Sequence, residues 1–192
     1  MIYINQLDYP DMSYNHNMSC GGAEPSKSNV KAAGCGLCCM CMIVENMTEK
    51  KLPLLECRDI SEAIHANMSI GTNLQILGKE IANRYGLTFI VTDSVEEMVT
   101  HLKKGGKVIA NVGGDREGYV GVFSHGGHYI TVMKFEEDKV YILDPSYKEG
   151  KYEEEGRRGK VEMMYPYAIC SLEVLAKECE NRSPSYYLFK EL

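Results

Sequence analysis

The sequence lacks the features that mark several large classes of protein. Its 192 residues contain no apolar run near the roughly 18 residues that a membrane-spanning helix needs. Positive charge is also scarce, because 21 lysine and arginine residues stand against 27 aspartate and glutamate residues, which gives a net charge of −6. A pI near 5.4 argues against nucleic acid or an anionic membrane as a partner. The remaining composition, 44% hydrophobic and 25% charged, is typical of a globular protein.

The sequence shows neither the pattern of a secretory leader nor that of a disulfide scaffold. Residues 1–14 contain no lysine or arginine, whereas a leader begins with positive charge and continues with an apolar run. Half of the eight cysteines crowd one helical stretch, where neighbouring thiols cannot easily bridge one another: Cys35, Cys38, Cys39 and Cys41. We therefore expect a reducing compartment and a cytoplasmic protein, or else a chain from which a leader has been removed.

The order of predicted elements indicates an α+β fold in one domain over residues 1–192. A short strand at residues 1–5 precedes a long irregular segment over residues 8–31. Apolar residues on every face of residues 35–47 predict an enclosed, central helix. Further helices are predicted at residues 54–67, 73–85, 94–104 and 172–180, and strands at 87–92, 107–112, 128–135, 139–143 and 185–189. The helical part thus covers about residues 35–105 and the sheet part about 107–192, with a solvated loop at 148–160.

Cys35 stands where the irregular segment gives way to the central helix, between Gly34 and Gly36. Unsatisfied N–H groups and the helix dipole lower the pKa of a thiol at such a helix start. The flanking glycines would leave room for a substrate. The alternative is a buried cysteine acting as a small hydrophobe, which fits the other three cysteines of this helix better because they lie deeper in it.

A nucleophilic thiol needs a base, and five histidines are available. His65 and His101 lie near ends of predicted helices among charged neighbours, and His16 lies in the polar segment. His128 follows two glycines and opens a strand, so its ring can project from the strand end. His128 is therefore the predicted base, and His125 is the competing base or a substrate contact.

Asp144 is the predicted partner of His128. It ends the strand at residues 139–143, which follows the strand of His128 through a turn near residue 136. In an antiparallel hairpin with that turn, His128 and Asp144 would be opposite or diagonal neighbours, close enough for a carboxylate to bond the imidazole. The alternative is a strand-ending turn, which Asp-Pro pairs often form.

The chemistry also needs donors for a developing oxyanion. Gln6 follows the first predicted strand and could supply its side-chain amide, with the backbone N–H of Cys35 as the second donor. The predicted substrate contacts flank the thiol and the base: Gly34, Gly36, His125, Gly127 and Tyr129. The sequence suggests no cofactor.

At these residues the chain resembles the bacteriocin-processing (double-glycine leader) peptidase-like family of papain-fold cysteine peptidases. The matching motifs are residues 4–9, 34–36, 127–130 and 140–145, with residues 71–72 and 85–87. The resemblance implies a papain-like fold in which Cys35 lies on a central helix packed against an antiparallel sheet carrying His128 and Asp144, with Gln6 at the oxyanion hole. The chain departs from the family at Leu37-Cys38, where proline and a small or hydroxyl residue are more usual. The loop at residues 113–126 is similar to a flap-like insertion found ahead of the histidine in some relatives.

The leading hypothesis is a cysteine peptidase with a Cys-His-Asp triad and a peptide or protein substrate. An acyltransferase or peptide amidase would use the same groups. A second hypothesis is a metal-binding module built on the cysteine cluster, although a structural zinc site needs a second ligand pair that the sequence does not offer. A third is a papain-fold protein that binds a peptide without cleaving it.

Overall fold

The computed structural model describes residues 1–14, 28–68 and 70–192. The helices of this part are α1 (Val30–Ala33), α2 (Cys35–Met47), α3 (Leu54–Ala63), α4 (Leu74–Tyr85), α5 (Val95–Lys103) and α6 (Leu172–Cys179). The strands are β1 (Asn67–Met68), β2 (Gly71–Thr72), β3 (Leu87–Thr92), β4 (Lys107–Val112), β5 (His128–Glu136), β6 (Lys139–Leu143), β7 (Glu162–Met164), β8 (Tyr167–Ser171) and β9 (Tyr186–Glu191). No helix in these ranges is long and apolar enough to cross a membrane. The predicted α+β class is confirmed.

The main sheet is antiparallel throughout, with the strand order β3-β9-β4-β5-β6-β8-β7. β1 and β2 form a separate two-stranded ribbon. β3 comes from the helical half of the chain but pairs with β9 at one edge of the sheet. The predicted division at about residue 106 therefore separates the helical part of the chain from the sheet part only roughly.

The enclosed helix predicted at residues 35–47 is confirmed as α2. Its residues 36–44 are all buried, because cysteine, leucine, methionine, isoleucine and valine cover every face. One hydrophobic core surrounds α2 and includes Met133 and Tyr187 from the sheet. A second core, with Met98 of α5 and Leu175 of α6, lies on the opposite face of the sheet. Because α2 packs along β5, the first turn of α2 and the start of β5 lie at the same end of the sheet.

Local capping signals explain several helix boundaries. The helix predicted at residues 73–85 begins one residue later as α4, because Asn73 is its cap and its side chain accepts hydrogen bonds from the backbone of Gln75 and Ile76. α4 ends at Gly86, whose φ of 76° favours glycine. α5 starts after Ser94, whose side chain accepts a hydrogen bond from the backbone of Glu97.

Some predicted elements are wrong where partners distant in sequence decide the structure. Residues 1–5 form no strand; a 3-10 turn follows at Gln6–Asp8, where the backbone N–H of Gln6 donates to the carbonyl of Pro145. The helix predicted at residues 54–67 stops at Ala63, because Asn67 pairs with Thr72 in β1 and β2. β7 and β8 were not predicted, and β8 extends the sheet by pairing with β6.

The solvated loop predicted at residues 148–160 is also wrong in part. Lys151, Tyr152 and Arg157 are buried within it, with 5%, 3% and 2% of their surfaces exposed. Arg157 donates through Nε to the carbonyl of Gly121 at 2.8 Å. Some charged residues of this segment are therefore exposed, whereas Lys151 points to the end of the sheet where β5 begins and β6 ends.

Candidate active site

Cys35 is the first residue of α2 and is half-buried. The cap residue Gly34 offers no side chain to the first N–H groups of the helix. The space beside the two glycines is taken by protein atoms, since a Cβ on Gly34 would lie 2.5 Å from Val30 and one on Gly36 would lie 3.0 Å from Thr72. The glycines thus allow close packing around the helix start, and their contact with a substrate stays a prediction.

The Cys35 thiol lies next to the ring of His128, and each of the two groups shifts the pKa of the other. Burial alone would raise the pKa of the thiol, but the hydrogen bond and charge of His128, with backbone hydrogen bonds from Tyr129 and Gly36, bring it below its ordinary value. Burial opposes the imidazolium, yet the hydrogen bonds with Asp144 and Cys35 raise the pKa of His128 to about 9. These opposite shifts favour a thiolate beside an imidazolium, the state that an attacking sulfur and a proton donor require.

Asp144 binds the other side of the His128 ring, with 2.9 Å between Nε2 and Oδ1. This leaves Nδ1 to face the thiol. The β5–β6 register places Thr131 opposite Leu143, and continuing it puts His128 opposite Ser146 rather than Asp144. The two side chains are therefore diagonal neighbours, the second of the two arrangements that the hairpin argument allowed. The register differs because the turn lies at Glu137 and Asp138, later than residue 136, and the irregularity at Met133 offsets only part of that difference.

The second carboxylate oxygen of Asp144 is bound by two side chains that the sequence did not suggest. Lys151 Nζ and the Tyr152 hydroxyl both donate to Oδ2, each at 2.6 Å. The Ser146 hydroxyl lies 3.0 Å from His128 Nε2 and 2.8 Å from Lys151 Nζ. Burial would raise the pKa of Asp144, but the charges of Lys151 and His128 hold it well below its usual range. Asp144 is thus a buried, fixed carboxylate.

Gln6 lies between the chain ends that carry the other candidate groups. Its backbone N–H donates to Pro145, directly after Asp144, and its Nε2 donates to the carbonyl of Lys31 at 2.8 Å, four residues before Cys35. The Oε1 atom is buried without a hydrogen-bond partner among the described residues. Since Nε2 carries two protons, one N–H is left for another acceptor.

The remaining histidines lie apart from this chain of hydrogen bonds. His125 is exposed, with Nδ1 at 2.9 Å from Asp115 and Nε2 at 3.0 Å from Glu154. His101 bonds the carbonyl of Phe189 through Nε2, and His65 follows the end of α3 with a positive φ. His16 lies outside the described residues, as does Cys20.

The residues next to His128 have different surroundings. A Cβ on Gly127 would lie 1.8 Å from Nη2 of Arg182, so the guanidinium occupies the place of a side chain there. The Tyr129 ring lies against Gly36, and its hydroxyl donates to the carbonyl of Thr72 at 3.2 Å. Tyr129 therefore connects the helix start to the sheet.

The other described cysteines are buried and unpaired. Burial raises the pKa of Cys38, Cys39, Cys170 and Cys179. In the described ranges, no group of three or more histidine, cysteine, aspartate or glutamate side chains is arranged to hold a metal ion. These thiols behave as small core residues, unlike Cys35.

The flap-like loop at residues 113–126 is tied down rather than free. The buried carboxylate of Glu178 on α6 accepts hydrogen bonds from the backbone of Val122 and Phe123 and from the Tyr119 hydroxyl. Val122 and Phe123 are themselves buried. The loop is therefore a fixed wall beside the start of β5.

Comparison with known proteins identifies a family and several solved structures that this chain resembles. A family model described as the Peptidase C39-like family matches residues 2–171. A C39-like peptidase from Bacillus anthracis has 11% identity and a TM-score of 0.58, covering 83% of this chain and 90% of its own. The peptidase domain of Streptococcus ComA, a bifunctional ABC transporter, has 12% identity and a TM-score of 0.51 over 82% of this chain and 91% of its own.

A third solved structure is a double-glycine motif protease from an AMS/PCAT transporter, which was determined in complex with a leader peptide. It has 15% identity and a TM-score of 0.50, covering 95% of this chain and 96% of its own. No curated protein matches the chain in sequence. The fold of these structures confirms the papain-like architecture that the resemblance implied.

Proposed function

The chain belongs to the Peptidase C39-like family of cysteine peptidases, and from this membership we propose that it cleaves peptide bonds with Cys35 as nucleophile, His128 as acid and base, and Asp144 as the group that orients His128. Residues 1–192 act as one peptidase domain. The observation that carries the proposal is the buried hydrogen bond of 2.9 Å between His128 and Asp144, with the Cys35 thiol next to the same ring. The pKa shifts of the thiol and the imidazole support the same roles, since both favour the reactive ion pair.

The proposed reaction has two stages. The Cys35 thiolate attacks the carbonyl carbon of the scissile bond, and the oxyanion accepts hydrogen bonds from the Cys35 N–H and the remaining Nε2 proton of Gln6. The His128 imidazolium then protonates the departing amine, which leaves a thioester on Cys35. Neutral His128 next removes a proton from water, the hydroxide attacks the thioester, and the released thiolate regains its imidazolium partner. Asp144 stabilises the charged ring at each stage.

Selective labelling tests the nucleophile. Incubation with a thiol-directed, peptide-like electrophile should give one adduct by intact mass, and peptide mapping should locate it at Cys35. The matched control is Cys38→Ser, which leaves Cys35 in place and should be labelled like the wild type. Cys35→Ser should take no adduct. Labelling concentrated on Cys20 or Cys179 would contradict the assignment.

Turnover separates a peptidase from a protein that only binds peptides. A mixture of peptides prepared from a proteome digest should gain new termini on incubation with the wild type but not with Cys35→Ser, as read by mass spectrometry. Transfer of the acyl group to an added amine instead of water would reveal an acyltransferase. A labelled Cys35 without any new termini would support peptide binding alone.

A further inference from the structure

Arg182 lies beside the candidate active site and has no assigned role in the reaction. It belongs to the segment between α6 and β9, which runs to the end of the sheet where β5 begins. Nη2 of Arg182 would lie 1.8 Å from a Cβ on Gly127, the residue before His128. The neighbouring Asn181 covers Gly113 in the same way, at 1.8 Å from a Cβ built there. This segment therefore lines the approach to His128.

The guanidinium lies on the face of the sheet that α2 covers. Gly127 comes directly before β5, two residues before Tyr129. Tyr129 and Tyr187 both belong to the core around α2, and Tyr129 contacts Gly36 next to the thiol. Burial raises the pKa of both tyrosines, whereas the positive charge of Arg182 lowers the pKa of each. The charge thus lies in the cleft between the helix start and the sheet.

Arg182 also lacks a partner for its charge. Its Nε atom is buried without a hydrogen bond in the described part of the chain, and its guanidinium forms no ion pair there. Asp93 and Glu180 line the same cavity as Arg182 but are engaged elsewhere, since Asp93 binds Ser183 and Ser185, and Glu180 binds Arg116 and Lys177. An arginine that is partly desolvated and unpaired is costly unless an anion binds it.

We infer that Arg182 is a specificity residue that binds a carboxylate of the substrate beside the scissile bond. The inference rests on the proposed role of Cys35 and adds the chemical class of the substrate. The carboxylate could belong to an acidic side chain or to the C-terminus of a peptide. Either would form a charge-assisted pair with the planar guanidinium, and either would lie next to the carbonyl that Cys35 attacks.

Two small alkylating agents test the charge near the thiol. Iodoacetate carries a carboxylate and iodoacetamide does not, so the ratio of their rates at Cys35 reports the attraction of an anion. Arg182→Gln should lower this ratio about three- to fivefold, the size expected for one partly exposed charge. Arg182→Lys should keep most of it. Arg84→Gln, which removes an exposed arginine paired with Glu80, changes the net charge equally and should leave the ratio unchanged.

The outcomes separate this inference from the proposed function. An unchanged ratio in Arg182→Gln, with Cys35 still selectively alkylated by iodoacetamide, would overturn the role of Arg182 alone. Loss of that selectivity in the wild type would instead overturn the proposed nucleophile. A thermal melt of each variant confirms that the compared proteins are folded.

Peptide mixtures identify the source of the carboxylate. With free and amidated C-termini compared side by side, loss of cleavage on amidation supports a C-terminal carboxylate. Enrichment of Asp or Glu near the new termini supports an acidic side chain. The preference should weaken in Arg182→Gln, and cleavage by the wild type without either preference would overturn the inference.

Discussion

Two histidines that lie three residues apart in sequence each pair with an aspartate, and the surroundings of the two pairs differ sharply. His125 and Asp115 are 2.9 Å apart, as are His128 and Asp144. The His125 and Asp115 side chains are 59% and 47% exposed, whereas those of His128 and Asp144 are 6% and 0% exposed. Water screens the first pair, but burial makes the second depend on its protein partners. At the same distance, the two groups of the buried pair are therefore coupled more strongly than those of the exposed pair.

The buried pair also differs in what surrounds it. Lys151 and Tyr152 bind the far oxygen of Asp144, and Cys35 faces the far side of His128. The exposed pair instead continues to Glu154, another surface carboxylate. The buried arrangement joins the proposed nucleophile to a fixed anion, and the exposed arrangement joins two surface loops.

The largest expected effect comes from removing the buried imidazole. His128→Ala should lower kcat/KM by about a thousandfold or more, because it removes both the proton donor and the base. It should also slow alkylation of Cys35. His128 is buried and paired with Asp144, so the melting temperature should fall as well, and activity is therefore compared per folded molecule. Equal losses in His125→Ala and His128→Ala would show that burial does not distinguish the two rings.

Lys151→Met tests how far the buried carboxylate depends on its cation. The variant leaves Asp144 charged and without its ammonium partner, so the free energy of unfolding should fall by about 3–5 kcal/mol in chemical denaturation. Adding Asp144→Asn should recover part of that loss, because the isolated charge is then gone. Lys134→Met, which breaks an exposed pair with Glu136, is the control. A double variant no more stable than Lys151→Met would contradict the coupling.

The pH dependence follows from the raised pKa of His128. Its pKa is about 9 in the folded protein against an ordinary value of 6.5. Stabilisation from the imidazolium is therefore complete below about pH 6.5 and is lost as the pH rises through about 9. The alkaline limb of kcat/KM should lie near pH 9. Asp144→Asn removes the charge that supports the imidazolium, so the limb should move to lower pH. An unmoved limb would remove Asp144 from the mechanism.

Asp144→Ala serves as the comparison for that experiment. Asparagine can keep a hydrogen bond to His128, whereas alanine cannot, so activity should fall further in Asp144→Ala than in Asp144→Asn. If Asp144 only ended a strand, stability would fall in both variants while specific activity per folded molecule stayed near the wild-type value.

The sequence predicted the parts of this site that local signals encode. Cys35 follows a change from polar to apolar composition, and the strands of His128 and Asp144 lie on either side of one short turn. Lys151 was assigned to a solvated loop because a lysine in a charged run gives no sign of burial. Its burial depends on Asp144, which it meets only in the folded chain. Arg182 was missed for the same reason, since the glycine that accommodates it lies 55 positions earlier.

The smallest expected effect comes from the exposed histidine. His125 links the loop at residues 113–126 to Glu154, but the same loop is also held by the buried Glu178 and by the bond from Arg157 to Gly121. His125→Gln should therefore change kcat/KM by less than about threefold and leave the alkylation rate of Cys35 unaltered.

Glu178→Gln provides the contrast to that variant, because it weakens the buried anchor of the same loop. Two backbone N–H groups and the Tyr119 hydroxyl would lose the charge that they now bind. The melting temperature should therefore fall further in Glu178→Gln than in His125→Gln. If His125→Gln were the more damaging change for stability or turnover, the exposed pair would be the one that fixes the wall of the cleft, and burial would not be what distinguishes the two histidines.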